Sequence, residues 1–533
     1  MSFFGNHRSS PLRSRSWTPQ AVSWIRSIGS GLLLGLSMPP GGWGLCALVA
    51  WVPLLVEWRR VGTPRWSFAR VLGAGGVAAV VAFGWCLRHP LWPSALAGVG
   101  VATLWSLGLA LPWMAGAVYL QRNAPNRAWV VLIAGTLLLE FVWSIGPWAM
   151  PWAPLGHTLA DRPMLAWLVA AWGVPGLSLL VLLTNALGAE LWRALWASSL
   201  PPARATLVRC AGLGLFIGGL VLHAGSLTRE SPPSAPSEDP SAAPSLFLVQ
   251  PGTPASAWAA LDAPHRVADL LALTSAAVDT ARTPPELIVW PETALPPIDY
   301  AAHRARLQRW VDRTGLPVLT GALAPLSATD GPYRHANRLL LFTPQRPPQR
   351  YDKHHLVPFV EGVPGADAVP HLASLAVSGG GVAGYRRGPG AQALFTDVLH
   401  IAPLICLESV VAPYVRRAVV DAAEPPDLLI AASQTGWWNT PRPARQHLAF
   451  SRLRVLETGR PFVLVTVYGP TTLIRPNGST GPRLNWGDRG VLRVSLPPPD
   501  VLPPYARRSP VWLAGGCILL LVLVVFSRPV GRN

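Results

Sequence analysis

Two patterns of apolar and polar positions divide the chain. Eight apolar stretches, near 24–40, 42–58, 70–87, 94–120, 128–146, 163–188, 207–224 and 509–527, are long enough to cross a hydrocarbon core of about 30 Å. The first two flank Pro39-Pro40-Gly41-Gly42 and predict a tight helical hairpin. A Pro- and Ser-rich polar segment, 225–244, reads as a linker. Beyond it the runs shorten. Segments 245–250, 286–290, 316–321, 338–343, 401–406, 427–432 and 462–467 read as strands, and 264–281, 300–313, 409–420 and 444–458 as helices. Strands alternating with helices predict a layered α/β domain, in which functional groups gather at strand ends. The expected organisation is a seven-span membrane domain over 1–224, the linker 225–244, an α/β domain over 245–505, and a last span with its tail over 506–533.

Composition supports the membrane reading. Half of the residues are hydrophobic and 13% are charged, where soluble domains average about 25%. The 25 tryptophans suit interfacial belts. A net charge of +18 would suit a nucleic-acid partner, but the arginines are dispersed among apolar segments and no nucleic-acid-binding motif occurs, so that partner is excluded. Topology accounts for much of the excess. Arg8, Arg13, Arg15 and Arg26 precede or open the first span, Arg59, Arg60, Arg65 and Arg70 follow the second, Arg122 and Arg127 the fourth, and Arg193, Arg204 and Arg209 the sixth; Arg528 and Arg532 close the chain. By the positive-inside rule both termini are cytoplasmic and 225–508 lies on the opposite face, the periplasm of a Gram-negative inner membrane. No small-residue cleavage site follows the first span, which therefore reads as an anchor. Glu140 is the one acid well inside a span; a local partner near the span's end explains it better than transport does, since no repeated midplane polar sites accompany it.

Three residues near strand ends carry candidate chemistry. Glu292 follows Trp290-Pro291; Lys353, the only lysine beside 43 arginines, lies in Tyr351-Asp-Lys-His-His; and Cys406 ends Ile401-Ala-Pro-Leu-Ile. Of five cysteines, Cys46, Cys86, Cys210 and Cys517 lie in or beside spans, which leaves Cys406 without a disulfide or multi-thiolate zinc partner in the α/β domain. Thiolate chemistry needs a base for the proton and a cation to lower the thiol pKa and steady an oxyanion. Glu, Lys and Cys supply these roles with no metal or cofactor.

The Trp290-Pro291-Glu292 turn, the run Tyr351-Asp-Lys-His-His-Leu-Val-Pro-Phe359 and the elbow Cys406-Leu407-Glu408 resemble the carbon–nitrogen hydrolase (nitrilase) superfamily. The eight spans, together with Leu34-Gly35, Pro39, Pro151-Trp152, Leu155-Gly156-His157, Gln446-His447, Arg454, Glu457 and Gly459-Arg460-Pro461, resemble its membrane branch, the apolipoprotein N-acyltransferases. The resemblance implies a polytopic α-helical membrane domain carrying an αββα sandwich. It implies Glu292 as general base, Lys353 as oxyanion cation, Cys406 as nucleophile, Glu361 and Glu408 as supporting acids, and Trp258 with Leu407 at the substrate. The implied reaction moves an acyl chain from a phospholipid through a cysteine thioester to the N-terminal amine of a diacylglyceryl-cysteine lipoprotein. The chain departs from the family pattern at Leu407, where tyrosine is usual, and in Ser433-Gln-Thr-Gly-Trp-Trp-Asn439, where the family has Ser-Asn-Asp-Ala-Trp-Phe-Gly. Two other readings stay open: a membrane-anchored amidase using the same triad on water, and a non-catalytic paralogue that binds lipoproteins.

Overall fold

A computed structural model of the protein describes residues 18–527 apart from 90–91, 147–150, 153, 197–199, 230–242, 261–262, 328–332, 364, 366–367 and 370–383. The N-terminal half is helical: α1 (Pro19–Ser37), α2 (Val52–Val61), α3 (Pro64–Phe83), α4 (Trp92–Gln121), α5 (Pro125–Trp143), α6 (Ala166–Leu195) and α7 (Leu200–Arg229). Local chemistry sets the starts of α1 and α3. Thr18 and Thr63 each turn a hydroxyl onto a backbone N–H two or three residues into the helix, and each is followed by proline at the first position. Five helical segments in this half are long and apolar enough to cross a membrane.

The span expected over 42–58 is not one continuous helix. That stretch breaks into a 3₁₀ turn, Gly44–Leu48, and the 10-residue α2, about 15 Å long at 1.5 Å per residue. Broken backbone at membrane depth needs partners. Buried Asn185 of α6 supplies them, accepting the Trp51 N–H at 2.7 Å and donating to the Ala47 carbonyl at 2.7 Å. The linker also begins later than expected. Residues 225–229 continue α7, because the helix-breaking prolines start only at Pro232; the segment 230–242, like Arg8, Arg13, Arg15, Arg528 and Arg532, lies outside the described residues.

The second half is built from β1 (Ser245–Gln250), α8 (Ala255–Ala260), α9 (Ala263–Asp279), β2 (Leu287–Val289), α10 (Tyr300–Thr314), β3 (Val318–Pro325), β4 (His335–Phe342), β5 (Gln349–Asp352), β6 (Leu394–Phe395), β7 (His400–Ile405), α11 (Ala412–Val420), β8 (Leu428–Ser433), α12 (Pro441–Thr458), β9 (Phe462–Thr466), β10 (Thr471–Ile474), β11 (Thr480–Leu484) and β12 (Gly490–Ser495). Two six-stranded sheets result, ordered β12-β1-β2-β3-β4-β5 and β11-β10-β9-β8-β7-β6. The centres β1-β2-β3 and β7-β8-β9 are parallel and the flanking strands antiparallel. Leu246, Leu248, Val289, Ile401, Ile405, Ile430 and Val463 pack between the sheets, while Phe247, Ile288, Leu404 and Leu429 face outward beneath helices. Strands buried on both faces read as unbroken apolar runs, which is why these segments were legible. The result is an αββα sandwich.

A short α13 (Pro504–Arg507) then leads into α14 (Val511–Phe526), a shorter apolar helix. Helix α12 carries the sandwich onto the membrane helices. Gln446 accepts the indole N–H groups of Trp85 and Trp152 at 3.0 and 3.1 Å and donates to the Ala82 carbonyl at 3.1 Å. Glu457 accepts the Val174 N–H at 2.9 Å, just past a break in α6 where Gly173 takes φ 65°. The Tyr505 ring lies 2.4 Å from where a Cβ on residue 173 would sit, so only glycine fits. Glu140, as expected, finds a local partner, the Leu155 N–H at 2.7 Å.

Candidate active site

Four strand ends converge at one spot. Glu292 follows β2, Lys353 follows β5, Cys406 follows β7 and Gln434 follows β8. Glu292 can lie close to the neighbouring strand because residue 321 of β3 is glycine: a Cβ there would meet the Pro291 carbonyl oxygen at 2.4 Å and the Glu292 Cα at 2.5 Å. Cys406 holds φ 49°, a left-handed conformation that is costly for a residue with a side chain. The strain aims the thiol out of the strand end before the chain enters a 3₁₀ turn, Cys406–Val410.

Lys353 is fully buried, its Nζ 2.7 Å from Glu361 and 3.6 Å from Glu292 Oε1. Glu292 is fixed from two sides, by Asn337 Nδ2 on Oε1 and by the Gln434 backbone N–H on Oε2, each at 2.7 Å. Glu361 also accepts the Val357 N–H at 2.9 Å, which ties the loop after β5 to the lysine. Glu408 does not face the reaction. Its carboxylate accepts the N–H groups of His354 (2.6 Å), His355 (3.0 Å) and Ile405 (2.7 Å), and so clamps the cysteine elbow to the lysine loop.

The electrostatics follow from burial. Burial alone would lower the Lys353 pKa, but Glu361 and Glu292 outweigh it and hold the ammonium above its ordinary value. Burial raises Glu292 above the usual carboxylate range; Lys353 opposes this and Glu361 reinforces it. The Cys406 thiol is pushed up to about 12, first by burial and then by the Glu292 charge, with Lys353 offsetting only part. The expectation that the cation would lower the thiol pKa is thus corrected: two carboxylates and a dry site outweigh one ammonium. Glu408, also buried, is raised to about 7.

The thiol opens into a cavity of about 120 Å³. Cys406, Leu407 and Trp438 form one wall, and Phe83, Trp105 and Trp152 of the membrane domain the other. Cys86 lines the same space, so a second thiol shares the cavity with Cys406. A larger surface cleft of about 830 Å³, lined by His354, Tyr414 and Arg417, contains none of the triad and lies away from this chemistry. Leu407 lines the cavity at the Cys406 thiol. Trp258 is not among the lining residues: it is buried in the core, donates its indole N–H to Thr293 Oγ1 at 3.1 Å and stacks on Arg266, so it supports the Glu292 turn from behind. Among the described residues no group of three or more His, Cys, Asp or Glu could hold a metal.

Sequence reasoning missed several contributors. Asn337, 1% exposed, bridges both acids at 2.7 and 3.5 Å; it sits among His335 and Arg338 at the polar start of β4, so nothing in the sequence sets it apart. His447 lines the cavity and pairs its Nε2 with Ser409 Oγ, whose hydroxyl donates to the Cys406 carbonyl at 2.7 Å. Burial drives that imidazole down to about 4, so it is neutral, and its Nε2 is engaged by Ser409 at the elbow.

Both halves of the chain match known families. Residues 30–187 match the apolipoprotein N-acyltransferase N-terminal domain and residues 248–502 the carbon-nitrogen hydrolase domain. The chain is 28% identical over 506 residues to a protein of Ralstonia nicotianae, covering 87% of this chain and 90% of that one, and 29% identical over 533 residues to one of Gloeobacter violaceus, covering 96% and 95%; both are named apolipoprotein N-acyltransferase. A relative from Bordetella parapertussis is 30% identical over 69% of each chain. Among solved structures, an amidase from Nesterenkonia sp. superposes with a TM-score of 0.38 at 15% identity, over 51% of this chain and 95% of that one.

Proposed function

Since the chain belongs to the apolipoprotein N-acyltransferase family, we propose that it N-acylates lipoproteins through a thioester on Cys406, with a phospholipid as acyl donor and the N-terminal amine of a diacylglyceryl-cysteine as acceptor. It is a membrane acyltransferase, and one observation carries the mechanism: the cavity that reaches the Cys406 thiol is walled on its other side by aromatic residues of the membrane helices. An acyl chain leaving the bilayer meets the nucleophile without crossing water.

A thiol held near 12 is protonated at rest, so attack requires a base in the same step. Glu292 takes the Sγ proton as sulfur adds to the ester carbonyl, and Lys353 faces the developing oxyanion. Collapse breaks the ester C–O bond; the departing lysophospholipid oxygen takes the proton back from Glu292, leaving acyl-Cys406. In the second half, Glu292 accepts a proton from the lipoprotein amine as nitrogen adds to the thioester, and as the C–S bond breaks it hands that proton to the departing sulfur, which returns the thiol and the ionised base. Glu361 keeps Lys353 charged throughout, and Glu408 keeps the elbow in register with it.

The domain boundaries and topology belong to the same proposal: 245–505 catalytic and periplasmic, both termini cytoplasmic, the bilayer the inner membrane. The arginine distribution supports it, and so does the chemistry, since a lipoprotein N-terminus is presented on the outer face. The test is single-turnover trapping in phospholipid vesicles followed by a diacylated lipopeptide. An acyl group found on Cys406 and then on the lipopeptide amine supports the reading. Acyl lost to water points to a hydrolase, and no acyl-enzyme with a folded, reduced protein points to a binding paralogue.

A further inference from the structure

Two neighbouring polar side chains of the cavity wall, Gln434 and Thr435, are left idle by the proposed mechanism, and Gln434 is the one with a dedicated donor. Gln434, directly after β8, is 1% exposed and lines the cavity beside Cys406 and Leu407. Its backbone N–H holds Glu292 Oε2, and its side-chain Oε1 accepts the Gly436 N–H at 3.1 Å. That second bond sets the amide's orientation, because a flipped amide would put an NH₂ group against an N–H. Nε2 therefore points the other way, and it has no acceptor among the described residues. A buried donor without a partner is costly and uncommon in a folded protein. Most other walls of this space are apolar or aromatic.

The substrates supply what the amide lacks. A donor N–H requires an acceptor, and the acyl ester, the thioester and the tetrahedral intermediates between them all keep the carbonyl-derived oxygen at the reacting carbon. We infer that Gln434 Nε2 donates to that oxygen as a second side-chain stabiliser beside Lys353. The inference rests on the Cys406 thioester proposed above. Its consequence is a division of labour in one residue: the backbone positions the base and the side chain serves the oxyanion, both anchored by the same strand end.

The test compares full-length wild type, Gln434→Met and Gln434→Glu in phospholipid vesicles. Methionine keeps the length and the backbone N–H but removes the donor; glutamate offers only acceptors while ionised, so it is assayed at alkaline pH. Single-turnover thioester formation should slow by roughly 10²-fold or more in both, the loss of one oxyanion-type donor, with little change in the phospholipid KM. Isotope-edited infrared spectra of the accumulated thioester, labelled at its carbonyl carbon, should show the carbonyl stretch moved to higher frequency in Gln434→Met, a signature that a merely structural role would not produce. Rates within threefold of wild type, or an unmoved carbonyl band where thioester still accumulates, overturn the inference. If a variant fails to fold, the other variant and the infrared band decide. Absence of thioester in the wild type would instead defeat the proposed function itself, so the two failures are distinguishable.

Discussion

Replacing Lys353 by arginine asks whether this chain's one lysine is there for its charge or for its shape. Every other basic residue in the sequence is arginine, so the substitution changes nothing in compositional terms. In the structure it changes a great deal. Nζ sits in a slot with no solvent exposure, 2.7 Å from Glu361 and 3.6 Å from Glu292. A guanidinium still neutralises the two carboxylates, so the folding cost is mainly that of a larger group in a filled slot, about 1–3 kcal/mol. Lys353→Met is the contrasting variant. It leaves two buried acids without their cation, which costs about 3–5 kcal/mol. Catalysis sorts the pair differently. The planar fork cannot present a compact donor beside the thiol while it spans both acids, so both variants should lose about 10²–10³ in thioester formation. Thermal unfolding of the detergent-solubilised protein should rank wild type above Arg above Met, and single-turnover mass spectrometry should place Arg and Met together. An arginine variant that forms thioester within threefold of wild type would refute the reasoning, because the lysine would then serve only as a buried counter-charge.

The pH profile of acylation should show an acid limb set by Glu292, whose raised pKa removes the base at pH values where an ordinary glutamate is still ionised; activity falls as pH drops through that value, and a profile that tracks a thiol ionisation near 8.5 would contradict general-base catalysis. Gln446→Leu leaves the indoles of Trp85 and Trp152 and the Ala82 carbonyl without partners and should destabilise the junction between sandwich and membrane helices by about 1–3 kcal/mol in thermal unfolding, with no change expected if water replaces the amide. Leu407→Tyr puts a phenol into a cavity of about 120 Å³ and should slow long acyl chains more than short ones in a chain-length series; an unaltered series would place residue 407 away from the chain. A reporter fused after Arg65 should read cytoplasmic and one fused near Ser237 periplasmic, and a cytoplasmic signal at the second site would end the topology proposal.

The primary structure by itself determined the strands that are buried on both faces, since such strands are unbroken apolar runs, and it singled out Glu292, Lys353 and Cys406 because each is chemically conspicuous against its surroundings. It did not reveal β5, β6, β10, β11 or β12. Those segments are short, polar or half-exposed, and they become strands only because a neighbour offers a free edge. The stretch 42–58 has the hydropathy of a span yet breaks at Gly44–Leu48, because Asn185, far away in the chain, satisfies the backbone that the break exposes. Trp258 looked like a ligand contact and is core, while Asn337 and Gln434 looked like ordinary polar residues and hold the base. The thiol's ionisation also belongs to the fold. Which charges surround a residue, and whether water reaches it, depend on groups brought together from four strand ends and two membrane helices, and no local pattern encodes that sum.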